Sequence, residues 1–251
     1  MQNIDLNCDM GESFGAFNIG QDEVLMEYVS SVNIACGFHG GDPSVMNKTV
    51  KLAAKKNLAI GAHPGYPDLQ GFGRREMKFS PSEIYDMVVY QVGALKGFAT
   101  VAGARLHHVK PHGALYNTAA KDPAIASAIA HAVSDVDRTL IFVGLSGSAM
   151  IREAGLAGLH TASEVFADRT YQDDGSLTPR HSKEAMIANP AAAAEQVLQM
   201  VRRKTVTSVN GKEILVNPQT VCIHGDAPHA PDFAMALVAL LKKNHVAIQR
   251  L

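Results

Sequence analysis

The feature that most constrains the fold is a regular alternation of short β-rich segments with helical segments. Eight apolar, β-branched segments of strand length predict strands at 4–8, 32–36, 58–62, 104–109, 140–144, 159–166, 221–223 and 246–249. Strands that alternate with helices along a chain favour parallel pairing through right-handed crossovers. The expected fold class is therefore α/β, a closed or nearly closed (β/α) barrel of seven or eight parallel strands. An open doubly wound sheet is the alternative.

Four helix starts carry one signal, a capping side chain followed by proline at the first helical position. They are Asp42-Pro43, Ser80-Pro81, Asp122-Pro123 and Asn189-Pro190. Ser80 and Glu83 also fit a capping box, and apolar residues three and four apart predict a helix over 81–101. The sequence contains no linker or repeat that would divide the chain, so residues 1–251 are expected to form a single (β/α)-barrel domain.

Two segments interrupt the alternation. Residues 168–189 are polar, contain a turn signal at Asp174-Gly175 and follow the end of a predicted strand, so they are expected to form a lid. Residues 205–216 alternate around Asn210-Gly211, which predicts a β-hairpin on the surface.

Composition excludes several classes of partner. The net charge of −1 argues against nucleic acid or an anionic membrane as the main partner. The apolar run at 233–241 is about half the length that a membrane span needs, and the N-terminus lacks signal-peptide features, so a cytoplasmic location is expected. Cys8, Cys36 and Cys222 are too few and too scattered for a disulfide framework and are interpreted as small buried thiols, although a nucleophilic cysteine remains open.

The alternation of side chains along the strands predicts where polar groups collect. Asp5, Asn7 and Asp9 share one face of the first strand, and Lys110 and His112 point the same way at the end of the fourth. In a barrel the apolar face packs under the helices, so these mixed faces should point inward. The polar strand ends then gather at the rim where barrel enzymes carry their active sites. The residues expected there are Asp9, Glu12, His39, His63, Lys110, His112, Glu164, His224 and Asp226.

Several chemistries fit such a rim. Candidate ligands for a divalent metal are Asp9, His39 and His63. No compact ligand motif supports such a site, and the sequence does not identify the metal. A substrate carboxylate could accept two parallel hydrogen bonds from one of the arginines Arg74, Arg75 and Arg169. No phosphate-binding P-loop sequence is present, so any nucleotide must bind in another way.

We assign roles to the rim residues by their chemistry. Glu12 or Asp226 is a candidate general base, and Lys110 can balance a developing oxyanion or phosphoryl charge beside His112. The predicted catalytic residues are therefore Glu12, Lys110, His112 and Asp226. The predicted substrate-binding residues are Asn7, Asp9, His39, His63, Glu164, Arg169 and His224.

Long motifs spread over the whole chain resemble the LamB/YcsF (lactam utilization) family, which includes one of the component proteins of 5-oxoprolinase, its A component. The motifs lie at 7–12, 33–43, 61–64, 68–75, 109–116, 168–169, 174–177 with 179–180, and 222–226. The resemblance implies a distorted TIM-like barrel akin to the glycoside hydrolase/deacetylase superfamily. It further implies a role in opening 5-oxoproline to L-glutamate with hydrolysis of ATP to ADP and phosphate. ATP, with Mg²⁺ as a possible companion, and partner subunits B and C are expected on the same ground.

Two other functions remain open from the sequence. The chain could be a stand-alone metal-dependent deacetylase or amidohydrolase that needs no ATP. It could instead be a non-catalytic subunit that binds an acidic metabolite and regulates its partners. The large number of ionisable residues at the rim argues against a non-catalytic subunit, because simple binding needs few titratable groups.

Overall fold

A closed ring of parallel strands forms the centre of the molecule. The computed structural model describes residues 2–224 and 230–251. Over these residues the strands are β1 (Gln2–Met10), β2 (Ser31–Ala35), β3 (Ala59–His63), β4 (Leu106–Val109), β5 (Ile141–Leu145), β6 (His160–Phe166), β7 (Thr205–Thr207), β8 (Glu213–Leu215), β9 (Thr220–Ile223) and β10 (Val246–Ile248). Strands β1 to β6 and β9 pair in parallel in that order, and β9 also pairs with β1, which closes the ring.

This ring confirms the predicted TIM-like α/β barrel, and the open doubly wound alternative is wrong. Seven of the described strands form the ring, while β10 pairs in parallel with the first residues of β1 outside it. Strands β7 and β8 pair antiparallel, which confirms the predicted hairpin. The bounds of the eight predicted strands differ from the observed ones by at most two residues at either end.

Helices cover the outer face of the ring. The described helices are α1 (Asp22–Leu25), α2 (Pro43–Lys55), α3 (Pro81–Val101), α4 (Gly113–Lys121), α5 (Pro123–Val136), α6 (Ala149–Leu156), α7 (Pro190–Arg203) and α8 (Ala230–Lys243). The four predicted caps are confirmed: Asp42, Asp122 and Asn189 each accept hydrogen bonds from the first turn, and Ser80 forms the capping box with Glu83. Within residues 2–224 and 230–251, no helix combines the length and the apolar character needed to cross a membrane.

The interior of the barrel is polar, as the alternation along the strands predicted. At its lower end the Asp5 carboxylate accepts hydrogen bonds from the hydroxyls of Ser30, Ser31 and Thr220. Its pKa is raised, because burial outweighs these hydrogen bonds. The apolar side chains of the same strands face outward and join the helices in the hydrophobic core, among them Leu6, Ile34, Ile60, Val109 and Val221.

A hydrogen-bonded layer crosses the barrel above Asp5. Asn33 Nδ2 donates to Asn7 Oδ1 at 2.7 Å, and His108 Nε2 donates to Asn33 Oδ1 at 2.8 Å. Gly61 leaves room for the His108 ring, since a Cβ at that position would lie 2.1 Å from His108 Nε2. This layer forms the floor beneath the side chains at the carboxyl ends of the strands.

Candidate active site

Lys110 lies at the centre of the carboxyl end of the barrel. It directly follows β4, and its side chain extends from the strand end into the ring. Its ammonium Nζ lies 2.9 Å from Asp9 Oδ1, 2.8 Å from Glu164 Oε1 and 3.1 Å from Cys222 Sγ. The side chain is only 2% exposed. A buried cation thus joins strands β1, β4, β6 and β9.

The charges around Lys110 hold it in the protonated form. Burial alone favours the neutral amine, but Asp9, Cys222 and Glu164 raise the pKa of Lys110 well above its ordinary value. Burial likewise opposes ionisation of Asp9, yet His63 and Lys110 lower the pKa of this carboxyl well below its usual range. The pair is therefore an ammonium beside a carboxylate at neutral pH.

Three histidines and a glutamate form a second group, which we call the Glu–His group: Glu12, His39, His63 and His112. The rings of His39 and His112 stack with their centroids 3.6 Å apart. His39 Nε2 lies 3.2 Å from Glu12 Oε1, and His112 Nδ1 lies 3.7 Å from the same oxygen. Burial lowers the pKa of His39 and of His112 well below the usual value, so these rings favour the neutral form.

The predicted lid segment, 168–189, reaches the same end of the barrel. Arg180 donates from a guanidinium nitrogen to His224 Nε2 at 2.9 Å, and His224 Nδ1 donates to Asp168 at 2.8 Å. Arg169 binds the backbone oxygens of Thr178 and Ala185 at 2.6 and 3.2 Å, which fixes the shape of the segment. Burial, assisted by the nearby Arg180 charge, lowers the pKa of Arg169 to about 10.

A single pocket brings these groups together. Its wall combines the lysine, carboxylates of β1 and the following loop, histidines and three arginines. The lining residues include Asp9, Glu12, His63, Phe72, Arg74, Lys110, His112, Tyr116, Arg169, Arg180 and His224. The Arg74 guanidinium lies 4.8 Å from the centre of the Phe72 ring.

Most of the predicted site residues therefore meet in one place. Asp9, Glu12, His63, Lys110, His112, Arg169 and His224 line the pocket. Asn7 and Glu164 support the wall from behind through Lys110, and His39 supports it through Glu12. Asp226 lies outside the described residues. The roles given to these residues remain predictions.

Sequence reasoning did not identify Arg180, Phe72 and Tyr116 as pocket residues. Arg180 and Phe72 come from long loops, where strand alternation gives no direction. Tyr116 lies on α4, and its hydroxyl is buried beside the Glu164 carboxylate. Glu164 lies near enough for its charge, after burial, to raise the pKa of this phenol well above the usual value.

Among the residues that the structure describes, two groups of side chains have the donor atoms and spacing for a metal ion. Asp9, Cys222 and His224 form one, but the Lys110 ammonium already contacts Asp9 and Cys222 and supplies a cation there. The donor atoms of the other, the Glu–His group, all lie within 4.8 Å of one another. Histidine nitrogen and carboxylate oxygen are suitable ligands for zinc and similar divalent ions.

Comparison with known proteins gives consistent matches along the whole chain. The LamB/YcsF family model matches residues 4–251. A protein from Geobacillus kaustophilus, named as the A component of 5-oxoprolinase, is 58% identical over 249 residues, 99% of this chain and 97% of that protein. The protein of the same name from Tolumonas auensis is 57% identical over 99% of both chains. The crystal structure of the lactam utilization protein from Thermus thermophilus is 46% identical, covers both chains fully and superposes with a TM-score of 0.94.

Proposed function

Because this chain belongs to the LamB/YcsF family, we propose that it is the A component of an ATP-dependent 5-oxoprolinase. In this proposal it opens 5-oxoproline to L-glutamate, with hydrolysis of ATP to ADP and phosphate, together with partner subunits B and C. The names of its relatives support the substrate and the place in a complex. The observation that carries the chemistry is the buried Lys110 ammonium at a pocket also lined by Arg74 and Arg180.

The chemistry of the substrate suits this pocket. A lactam amide is a poor electrophile, so ring opening needs an activated carbonyl. Transfer of the γ-phosphoryl group of ATP to the carbonyl oxygen releases ADP and makes that oxygen part of a leaving group. Two water molecules then complete the hydrolysis to glutamate and phosphate. Each stage develops negative charge on oxygen, which nearby fixed cations stabilise.

The role proposed for each residue follows from its position in the pocket. Lys110 stabilises the developing oxyanion or phosphoryl charge, since its ammonium is held in place by Asp9 and Glu164. Glu12, at the pocket wall, acts as general base toward water, and His112 lies beside it with its Nδ1 3.7 Å from the carboxylate. Asp226 is proposed as a further proton acceptor. Mg²⁺ accompanies the ATP phosphates.

Substrate binding falls to the surrounding side chains. The carboxylate of 5-oxoproline requires a cationic partner, for which Arg180 and Arg74 are the best placed donors. Arg169 contributes its charge at the wall while its guanidinium is bound to backbone oxygens. His63 and His224 complete the lining.

Reconstitution with subunits B and C tests the proposal. We expect the Lys110→Met variant to lose ATP-dependent glutamate formation by at least about 100-fold, as for removal of an oxyanion-stabilising donor. Near-normal formation of glutamate and ADP by this variant would contradict the role of Lys110. Turnover of 5-oxoproline by the isolated chain without ATP would instead support the stand-alone amidohydrolase.

A further inference from the structure

Two backbone carbonyls fix the hydrogen positions on two of the pocket histidines. His63 Nδ1 lies 2.7 Å from the carbonyl oxygen of Lys110, and His112 Nε2 lies 2.8 Å from the carbonyl oxygen of Phe72. A carbonyl oxygen can only accept a hydrogen bond, so each of these nitrogens must carry the hydrogen. In a neutral ring the other nitrogen then has a lone pair and no hydrogen.

The two remaining nitrogens face each other. His63 Nε2 and His112 Nδ1 are 2.9 Å apart, at hydrogen-bonding distance, yet in neutral rings neither has a hydrogen to donate. Two lone pairs held at this distance repel each other, and the pair is almost fully buried, so water cannot separate them. A positive charge between the rings would remove the conflict.

Negative oxygen atoms surround the same point. Glu12 Oε1 lies 3.7 Å from His112 Nδ1, and Asp9 Oδ2 lies 3.3 Å from His63 Nε2. The Asp9 carboxylate has Lys110 as its partner through its other oxygen, whereas the Glu12 oxygen is directed toward His39 and His112. The donors therefore converge from three strand ends on one small volume at the pocket wall.

We infer that this chain binds one divalent transition-metal ion through His63 Nε2, His112 Nδ1 and the Glu12 carboxylate. The inference rests on the orientation of these donors and is independent of the substrate proposed above. His39 is then a positioning residue: it stacks on His112 and contacts Glu12, and so fixes the directions of two ligands.

The surroundings match those of known metal-binding histidines. Such histidines usually donate their second ring N–H to a backbone carbonyl or carboxylate, as His63 and His112 both do here. Gly73, with a φ of +63°, allows this packing, because a Cβ there would lie 2.8 Å from His112 Cδ2 and 2.7 Å from His39 Cβ. Three protein ligands at the wall of an open pocket are typical of catalytic rather than structural zinc sites.

A shared proton is the competing explanation for the close approach of the two rings. It would satisfy the two nitrogens without a metal ion. The metal ion accounts for all three converging donors. Only this explanation requires the chain to bind a stoichiometric amount of metal.

The test is direct metal binding to the purified chain after removal of metals with a chelator. Titration with Co²⁺ should give one equivalent bound, with visible d–d absorption, and Zn²⁺ should displace it. His112→Gln and His63→Gln should each weaken Co²⁺ binding by at least about 100-fold, more than loss of an outer hydrogen bond would. His131→Gln, on the exposed face of α5, is the matched control and should bind Co²⁺ as the unmodified chain does.

A second measurement tests metal binding without the use of variants. X-ray absorption at the zinc edge of the zinc-loaded unmodified chain should show scattering from two imidazole ligands. The inference is overturned if the unmodified chain binds no stoichiometric Co²⁺ or Zn²⁺, which would leave the shared proton as the explanation. It is also overturned if folded His63→Gln and His112→Gln variants bind as tightly as the His131→Gln control, or if no imidazole scattering is found.

Discussion

Lys110 Nζ lies 2.8 Å from Glu164 Oε1 across the barrel, and the glutamate side chain is completely buried. Lys110 directly follows β4 and Glu164 lies in β6, so the pair connects two strands that are not neighbours in the ring. A buried charge that loses its partner is far more costly than one at the surface. The same lysine therefore has two separable effects, on stability and on the proposed chemistry.

Replacement of Lys110 by Met should lower the free energy of unfolding by about 3–5 kcal/mol, because Asp9 and Glu164 lose their common cation. Urea denaturation followed by circular dichroism measures this. Lys96→Met is the control, since Lys96 is 40% exposed and pairs with Asp137 at the surface, and should change stability by no more than about 1 kcal/mol.

The double variant Lys110→Met/Glu164→Gln separates stability from function. Removing the uncompensated carboxylate should restore part of the lost stability, but ATP-dependent glutamate formation in the reconstituted complex should remain lost. Recovery of activity together with stability would mean that Lys110 acts only through the fold.

Replacement of Arg180 by Gln should weaken substrate binding. Loss of a charge-assisted hydrogen bond to a carboxylate corresponds to about a 10-fold or greater rise in KM for 5-oxoproline. Steady-state kinetics of the reconstituted complex measure the change. Arg152→Gln, on the exposed side of α6 beside Glu153, provides the comparison, and an equal KM in both variants would show that Arg180 does not contact the substrate.

Gly61→Ala should destabilise the barrel, because the new methyl group would meet the His108 ring inside it. We expect a loss of about 1–3 kcal/mol, as for other overpacked interiors. Gly97→Ala is the matched control: Gly97 lies in α3 with open space around its missing Cβ, and alanine there should stabilise by up to about 1 kcal/mol. Thermal unfolding of the two variants side by side gives the difference.

Asp137 should make the free energy of unfolding depend on pH in the acid range. Hydrogen bonds from Thr139 and from Lys96 lower the pKa of Asp137 to about 2, below its value near 4 in an unfolded chain. Its contribution is therefore complete above pH 4 and disappears as the pH falls through about 2. The stability difference between the unmodified chain and Asp137→Asn should shrink over this range, and a difference that stays constant from pH 6 to pH 2 would contradict the assignment.

Local sequence rules accounted for much of the fold. Asp42, Ser80, Asp122 and Asn189 predicted helix starts correctly because capping depends on residues within one turn. Helix α4 begins at Gly113 without a capping side chain, so its start lacks this signal. Strand alternation likewise placed Asn7, Asp9 and Lys110 inside the ring, since successive side chains must point to opposite faces.

The remainder of the site depends on contacts between distant segments. The contact of Cys222 Sγ with Lys110 Nζ joins residues 112 positions apart, and nothing near Cys222 in the sequence indicates it. The carbonyl of Phe72 that orients His112 belongs to a loop whose path is set by packing. Arg180 contacts His224 from the lid segment, in which Arg169 binds the backbone oxygen of Thr178.

The pairing of β1 with β9 that closes the ring also bears on how the chain folds. The paired residues Asp5 and Thr220 are 215 positions apart, so this contact has one of the largest loop-closure costs in the chain. Contacts of such range slow folding, and we expect the ring to close late, after β2 to β6 have paired. Until then β1 and β6 are open sheet edges able to pair with other chains. Expression at low temperature or with chaperones should therefore raise the yield of folded protein more than it would for a helical bundle of equal length.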